Sequence, residues 1–158
     1  MNCLAFVPTK NGQATKAGLE AVSYAQRCGA TVTALVVGEL NGDGGAGAAG
    51  ASKVLHMGDN LQDEGQIARV VAAAADAEGA TLVVAPHDHI GRAVAPRVAV
   101  RMGAGIVPGV TGLLQGFTQL VKTQTFDLDV HLTSGDAIGS ARHFEIHVSK
   151  VVFVTEDV

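Results

Sequence analysis

Residues 86–92 combine two histidines, an aspartate, a glycine and an arginine in the sequence PHDHIGR. The segment lies between an apolar run typical of a buried strand and a helical pattern, and open α/β sheets bind ligands at such positions. The exposed amides at the start of that helix, together with the guanidinium of Arg92, have the chemistry to hold a phosphate. The alternative interpretation is that Arg92 forms an ion pair with a partner subunit or an acidic side chain.

A second short segment is expected at the same edge of the sheet. Pro8 and Thr9 follow the first apolar run, so we predict that they line the same crevice as Gly91 and Arg92. These four residues are the predicted binding site if the chain binds an adenine nucleotide.

A glycine-rich stretch, residues 38–50, contains two formal Gly-x-Gly-x-x-Gly patterns that begin at Gly42 and Gly45. In dinucleotide-binding folds this pattern follows the first strand and opens a long helix, whose amides hold the pyrophosphate. Here the pattern follows the second predicted strand, and no long helix is predicted directly after it. We therefore interpret the stretch as a flexible loop rather than a pyrophosphate cradle.

The histidines, serines and cysteines do not predict catalysis. His87, Asp88 and His89 are successive loop residues, which rarely converge on a metal, and no Cys or His pair has the spacing of a zinc site. The serines lack a nucleophile elbow. Cys3 and Cys28 have the setting of small buried hydrophobic residues. We expect no metal and no catalytic site, hence not an enzyme.

Two further arginines lie one helical turn apart. Arg97 and Arg101 have no acid four residues away with which to pair. They indicate either a contact with an acidic partner surface or a solvated helix face.

Composition narrows the class of protein. A chain of 158 residues is expected to form one domain. The formal net charge of −4 argues against a nucleic-acid partner, which needs a basic surface. No apolar run approaches the roughly 18 residues that span a bilayer, and no signal peptide is recognised. We expect a cytoplasmic protein with no membrane insertion.

Apolar runs alternate with helical patterns as far as residue 104. The predicted strands are residues 2–7, 31–37, 53–57 and 80–85, and the predicted helices are residues 14–28, 61–78 and 92–102. Pro96 is expected early in the last helix. Such alternation predicts right-handed crossovers and a mainly parallel sheet with helices on both faces, a Rossmann-like or adenine-nucleotide-hydrolase-like three-layer sandwich.

The chain after residue 104 is rich in Val, Thr, Phe and Ile and has no helical period. We predict a β-rich C-terminal extension that continues the sheet in antiparallel fashion and is closed by residues 151–154.

Residues 91–113 resemble the alpha subunit of electron transfer flavoproteins. The matching positions are Gly91-Arg92, Ala95-Pro96-Arg97, and Arg101 followed by Gly103-Ala104-Gly105. Residues 31–39, 50–59 and 80–92 resemble the second, third and fourth strands of that family. The glycine-rich stretch departs from it, because the family usually has a full helix between its second and third strands.

The resemblance implies a single N-terminal α/β domain over residues 1–158. A C-terminal FAD-binding domain is absent from this sequence, as in a cut fragment or a shortened relative. The resemblance further implies a scaffold that docks to a beta subunit as a heterodimer in an electron carrier. No cofactor is then expected in this chain, because FAD is held elsewhere in the complete family protein. A homodimer is the alternative state expected for the isolated domain. The alternative function is a stand-alone adenine-nucleotide-binding module.

Overall fold

The computed structural model describes residues 1–58, 61, 63–110, 112, 124–128, 142–146 and 150–155. The helices are α1 (Lys16–Arg27), α2 (Glu64–Ala77) and α3 (His89–Met102). The strands are β1 (Asn2–Lys10), β2 (Gln13–Ala14), β3 (Thr31–Val37), β4 (Lys53–Met57), β5 (Leu82–Pro86), β6 (Gly105–Val110), β7 (Gln124–Leu128), β8 (Arg142–Ile146) and β9 (Val151–Thr155).

The main sheet has the strand order β4-β3-β1-β5-β9-β6, and every pair along it is parallel. The short strand β2 pairs antiparallel with the end of β1. The central strands of the main sheet are continuous apolar runs because both faces of a parallel sheet are covered. The prediction of a mainly parallel α/β sheet is therefore confirmed.

Helices cover both faces of the sheet. Alternate residues of β1 face opposite sides: Leu4 and Phe6 belong to one buried cluster with α2 and α3, and Ala5 and Val7 belong to the other with α1. This period of two follows from strand geometry. The result is the predicted three-layer sandwich.

Each helix begins at a side-chain cap. Thr15 Oγ1 accepts a hydrogen bond from the Gly18 amide at 3.2 Å in α1, and Asp63 Oδ1 accepts one from the Gln66 amide at 2.8 Å in α2. Such caps satisfy amides that lack a partner within the helix.

The start of α3 corrects the sequence prediction. Asp88 is its N-cap, so the helix begins at His89 rather than at residue 92. Pro96 is consequently the eighth of 14 helical residues, and the expectation that it lies early in the helix is wrong. Because proline has no N–H, the Arg92 carbonyl loses its usual partner within the helix.

The C-terminal strands also differ from expectation. β9 lies between β5 and β6 and is parallel to both, with Val151 opposite Leu82 on one side and Gly105 on the other. The predicted antiparallel continuation of the main sheet is therefore wrong for β6 and β9. Strands β7 and β8 do pair antiparallel, but they form a separate two-stranded sheet.

Residues 42–50, here termed the turn segment, form successive turns that pack against α1. Ala46 is fully buried. The Ala49 carbonyl accepts a hydrogen bond from Ser23 Oγ at 3.1 Å, and the Ala51 amide donates to the Ala46 carbonyl at 3.0 Å. The segment crosses from β3 to β4 on the face covered by α1, in the place where a crossover helix would lie.

Candidate functional site

The strand order makes the connections diverge at the carboxyl ends of β1 and β5. The connection after β1 leads to α1 on one face, and the connection after β5 leads to α3 on the opposite face. Open α/β sheets bind ligands where the connections diverge in this way. The four predicted site residues lie on the two sides of this divergence, Pro8 and Thr9 at the end of β1 and Gly91 and Arg92 after β5.

The end of β1 forms hydrogen bonds with the segment that follows it, which includes β2. Pro8 is buried, and its carbonyl accepts a hydrogen bond from the Thr15 amide at 2.9 Å. The Thr9 hydroxyl donates to the Val37 carbonyl of β3 at 3.2 Å. Thr9 therefore binds to the strand on the side of β1 away from β5.

The first turn of α3 is capped by a carboxylate. Asp88 Oδ1 accepts a hydrogen bond from the Gly91 amide at 2.7 Å. The negative charge of this side chain also complements the positive end of the helix dipole. The Gly91 amide, expected to be open for a phosphate, thus already has an anionic partner.

Gly91 and Arg92 have opposite surroundings. Gly91 is buried against the backbone of Pro86, the last residue of β5. Arg92 is exposed, and its side chain has no hydrogen bond or ion pair with a described residue. Of the four predicted site residues, Arg92 is therefore the one that presents a charged group to solvent.

A phosphate at this helix start would meet like charge. The Asp88 carboxylate lies where an anion would bind the α3 amides. Two anions that share one site repel each other unless one is displaced or protonated. This geometry favours a closed helix start over an open phosphate cradle.

Sequence reasoning missed Asp88 as a cap because it treated residues 86–91 as a loop. The available signal was an Asp just before a run of apolar residues at helical spacing, which is typical of an N-cap. His87 lies on the sheet side of this cap, where its amide donates to the Thr155 carbonyl at 2.9 Å and extends the pairing of β5 with β9.

In the outermost strand β4, His56 closes the carboxyl end of β3. His56 Nε2 lies 2.8 Å from the Gly38 carbonyl oxygen, and the Gly38 amide donates to the Met57 carbonyl at 2.9 Å. These bonds stabilise the turn that leads from β3 into the glycine-rich segment.

Among the described residues, no three His, Cys, Asp or Glu side chains are grouped to hold a metal. Burial raises the pKa of the Cys3 thiol, and the neighbouring Cys28 adds to this effect. A thiol held protonated in this way is a poor nucleophile. Within the same described ranges, no helix is both long and apolar enough to cross a membrane.

Together, the parallel sheet, the helices on both faces and the diverging connections define a Rossmann-like α/β domain. The family model described as electron transfer flavoprotein domain matches residues 3–133, and the chain belongs to this family. A search of curated proteins returned no match. Family membership supports a role in an electron transfer flavoprotein, an electron carrier rather than a catalytic enzyme, in association with a partner subunit.

Proposed function

We propose that this domain is the scaffold of an electron transfer flavoprotein alpha subunit and works by binding a beta subunit. It holds no redox group of its own, and the FAD of the complete carrier binds outside this domain. The domain thus contributes to electron transfer from dehydrogenases by assembly rather than by chemistry.

The assignment to the alpha type is supported by residues 91–105. These residues form most of α3 and the start of β6, and they carry the Gly-Arg, Ala-Pro-Arg and Gly-Ala-Gly pattern on which the resemblance depends. The family match extends through all of them.

The scaffold role is supported above all by the capped start of α3. The Asp88 carboxylate holds the Gly91 amide at 2.7 Å, and the hairpin after β1 engages the Pro8 carbonyl at 2.9 Å. Two backbone groups at the divergence of β1 and β5, the Gly91 amide and the Pro8 carbonyl, are thus satisfied within the chain, whereas the guanidinium of Arg92 stays exposed. A domain with this closed edge is suited to packing against protein.

The test is a binding measurement between the purified chain and the beta subunit of an electron transfer flavoprotein from the same organism. Isothermal titration calorimetry and sedimentation are expected to show a 1:1 heterodimer without added flavin. The purified chain is expected to show no flavin absorption. Failure to bind the beta subunit, or a yellow protein with stoichiometric flavin, would contradict the proposal.

The alternative is a stand-alone adenine-nucleotide-binding module that uses Pro8, Thr9, Gly91 and Arg92. The exposed guanidinium of Arg92 beside the divergence of β1 and β5 favours it. Mass spectrometry of the purified chain and titration with ATP, ADP and AMP distinguish the two functions. The module would be favoured if the chain binds nucleotide near stoichiometrically, if Arg92→Ala weakens that binding, and if the chain does not bind the beta subunit.

A further inference from the structure

The outward face of α3 carries three arginines and no carboxylate. Its exposed residues form a broad row that covers about half of the helix circumference, with Arg92 at one side and Arg101 at the other. The row consists of His89, Arg92, Pro96, Arg97, Val100 and Arg101. From Arg92 to Arg101 it extends about 14 Å at the rise of an α-helix.

The described part of the chain offers these arginines no acidic partner. Arg97 Nη1 donates to the Ala93 carbonyl of its own helix, a contact that neutralises no charge. The ion pairs among the described residues lie elsewhere and join Lys16 to Glu20, Lys53 to Glu78, and Lys150 to Asp76. Since the whole chain has a net charge of −4, this row is a local positive feature on an acidic protein.

Two apolar residues lie within the positive row. Val100 is 83% exposed, and Pro96, four residues earlier, is exposed as well. The fold gains little from either residue, because Val100 buries little area and a proline inside a helix costs about 3 kcal/mol. Arginines around apolar side chains are typical of protein interfaces.

The exposed face of α2 carries a different pattern of charge from that of α3. It presents Arg69, Ala73 and Asp76, so both signs of charge are represented. Mixed charge of this kind is what a solvated helix face usually carries. The face of α3 is instead complementary to a surface that supplies carboxylates.

We propose that Arg92, Pro96, Arg97, Val100 and Arg101, here termed the α3 ridge, dock an acidic surface of the second flavoprotein subunit. Carboxylates of that subunit pair with Arg97 and Arg101, and an apolar side chain covers Pro96 and Val100. The inference rests on the proposed function, since it names where the partner binds. Nucleic acid is disfavoured, because the net charge is negative and the centre of the ridge is apolar.

The ridge is tested by titrating the beta subunit into four variants of the full chain. Arg101→Glu and Val100→Asp alter the ridge. Arg27→Glu is the control for the first, because Arg27 is also exposed in the last turn of a helix. Ala73→Asp on α2 is the control for the second. Each ridge variant is expected to raise the Kd at least about tenfold, as for a central interface residue, and each control to leave it within about twofold.

Circular dichroism of every variant separates lost binding from lost folding. If Val100→Asp unfolds the domain, the milder pair Val100→Ser and Arg101→Gln replaces the ridge variants. Binding of the unaltered chain is expected to weaken with salt, and Arg101→Gln is expected to reduce that dependence, because it removes an ion pair across the interface.

The two proposals fail in different ways. Unchanged affinity in the ridge variants, with normal binding of the unaltered chain, overturns the ridge and leaves the proposed function intact. No binding by the unaltered chain overturns both. Sedimentation of the chain alone supplies a further outcome: a homodimer abolished by Val100→Asp would assign the ridge to a second copy and overturn the inference.

Discussion

The carbonyl oxygen of Pro86 lies directly against Gly91 in the first turn of α3, with no room for a side chain between them. A Cβ added at Gly91 would overlap the Pro86 carbonyl group and lie 3.1 Å from Pro86 Cγ. Strand β5 and helix α3 therefore approach to a separation that only glycine permits. This contact fixes the position of the capped helix start relative to the sheet.

Gly91→Ala is expected to destabilise the domain despite the better helix propensity of alanine. Alanine contributes about 1 kcal/mol within a helix, but relieving an overlap with backbone atoms costs more, and the net loss is about 1–3 kcal/mol. Urea unfolding followed by circular dichroism measures it.

Gly47→Ala is the matched control for this substitution. A Cβ at Gly47 would approach Asp43 Oδ2 at an ordinary 3.5 Å, and the φ of Gly47 lies outside the left-handed region. We expect a change within about 0.5 kcal/mol. Equal losses at Gly91 and Gly47 would contradict the argument from close approach.

Asp88 is expected to stabilise α3 through its hydrogen bond to the Gly91 amide. Asp88→Ala removes that bond and should lower the free energy of unfolding by about 1 kcal/mol. Asp88→Ser retains an oxygen acceptor at the cap and should recover most of the loss. If serine and alanine destabilise the domain equally in urea unfolding, the cap does not contribute as described.

Most of the parallel sheet could be predicted from local sequence, because β1, β3 and β5 contain continuous apolar runs and a glycine shortly precedes β3, β4 and β5. The position of β9 could not. Its pairing with β5 joins Val151 to Leu82, and a strand pattern alone does not say which distant strand is its neighbour or in which direction it runs.

The candidate site was predicted less well than the fold. Pro8 and Thr9 lie inside β1 rather than after it, and Gly91 and Arg92 lie inside α3, on the two sides of one divergence of the sheet. The sequence did not reveal that Asp88 binds the Gly91 amide or that Thr9 bonds to Val37 of β3. Both details depend on side-chain direction, which residue type and spacing leave open.

Gly50 is expected to be the most sensitive glycine of the turn segment. Its φ is +112°, and an added Cβ would lie 2.8 Å from Gln26 Cγ and 3.0 Å from Gln26 Cβ. Gly50→Ala should cost about 2 kcal/mol or more, from backbone strain and overlap together. The free energy of unfolding in urea measures the loss.

Two further variants separate the contributions at Gly50. Gly42 also has a positive φ, of +74°, but has nothing within 4 Å of an added Cβ, so Gly42→Ala should show strain alone, about 1–2 kcal/mol. Gln26→Ala combined with Gly50→Ala should recover part of the loss, because it removes Cγ. Additive effects in this double-mutant cycle would exclude the contact with α1 as the cause.

Cys3 is expected to make the domain less stable as the pH rises. Desolvation in β1, followed by the effect of Cys28, raises the pKa of its thiol. The unfolded chain, with an ordinary thiol pKa of about 8.5, then releases a proton that the folded chain retains. The free energy of unfolding therefore falls above about pH 8.5, by up to about 1.4 kcal/mol per pH unit. Urea unfolding at about pH 8 and about pH 10 measures this slope, and Cys3→Ala should reduce it; equal slopes in both proteins would show that the buried thiol is not its source.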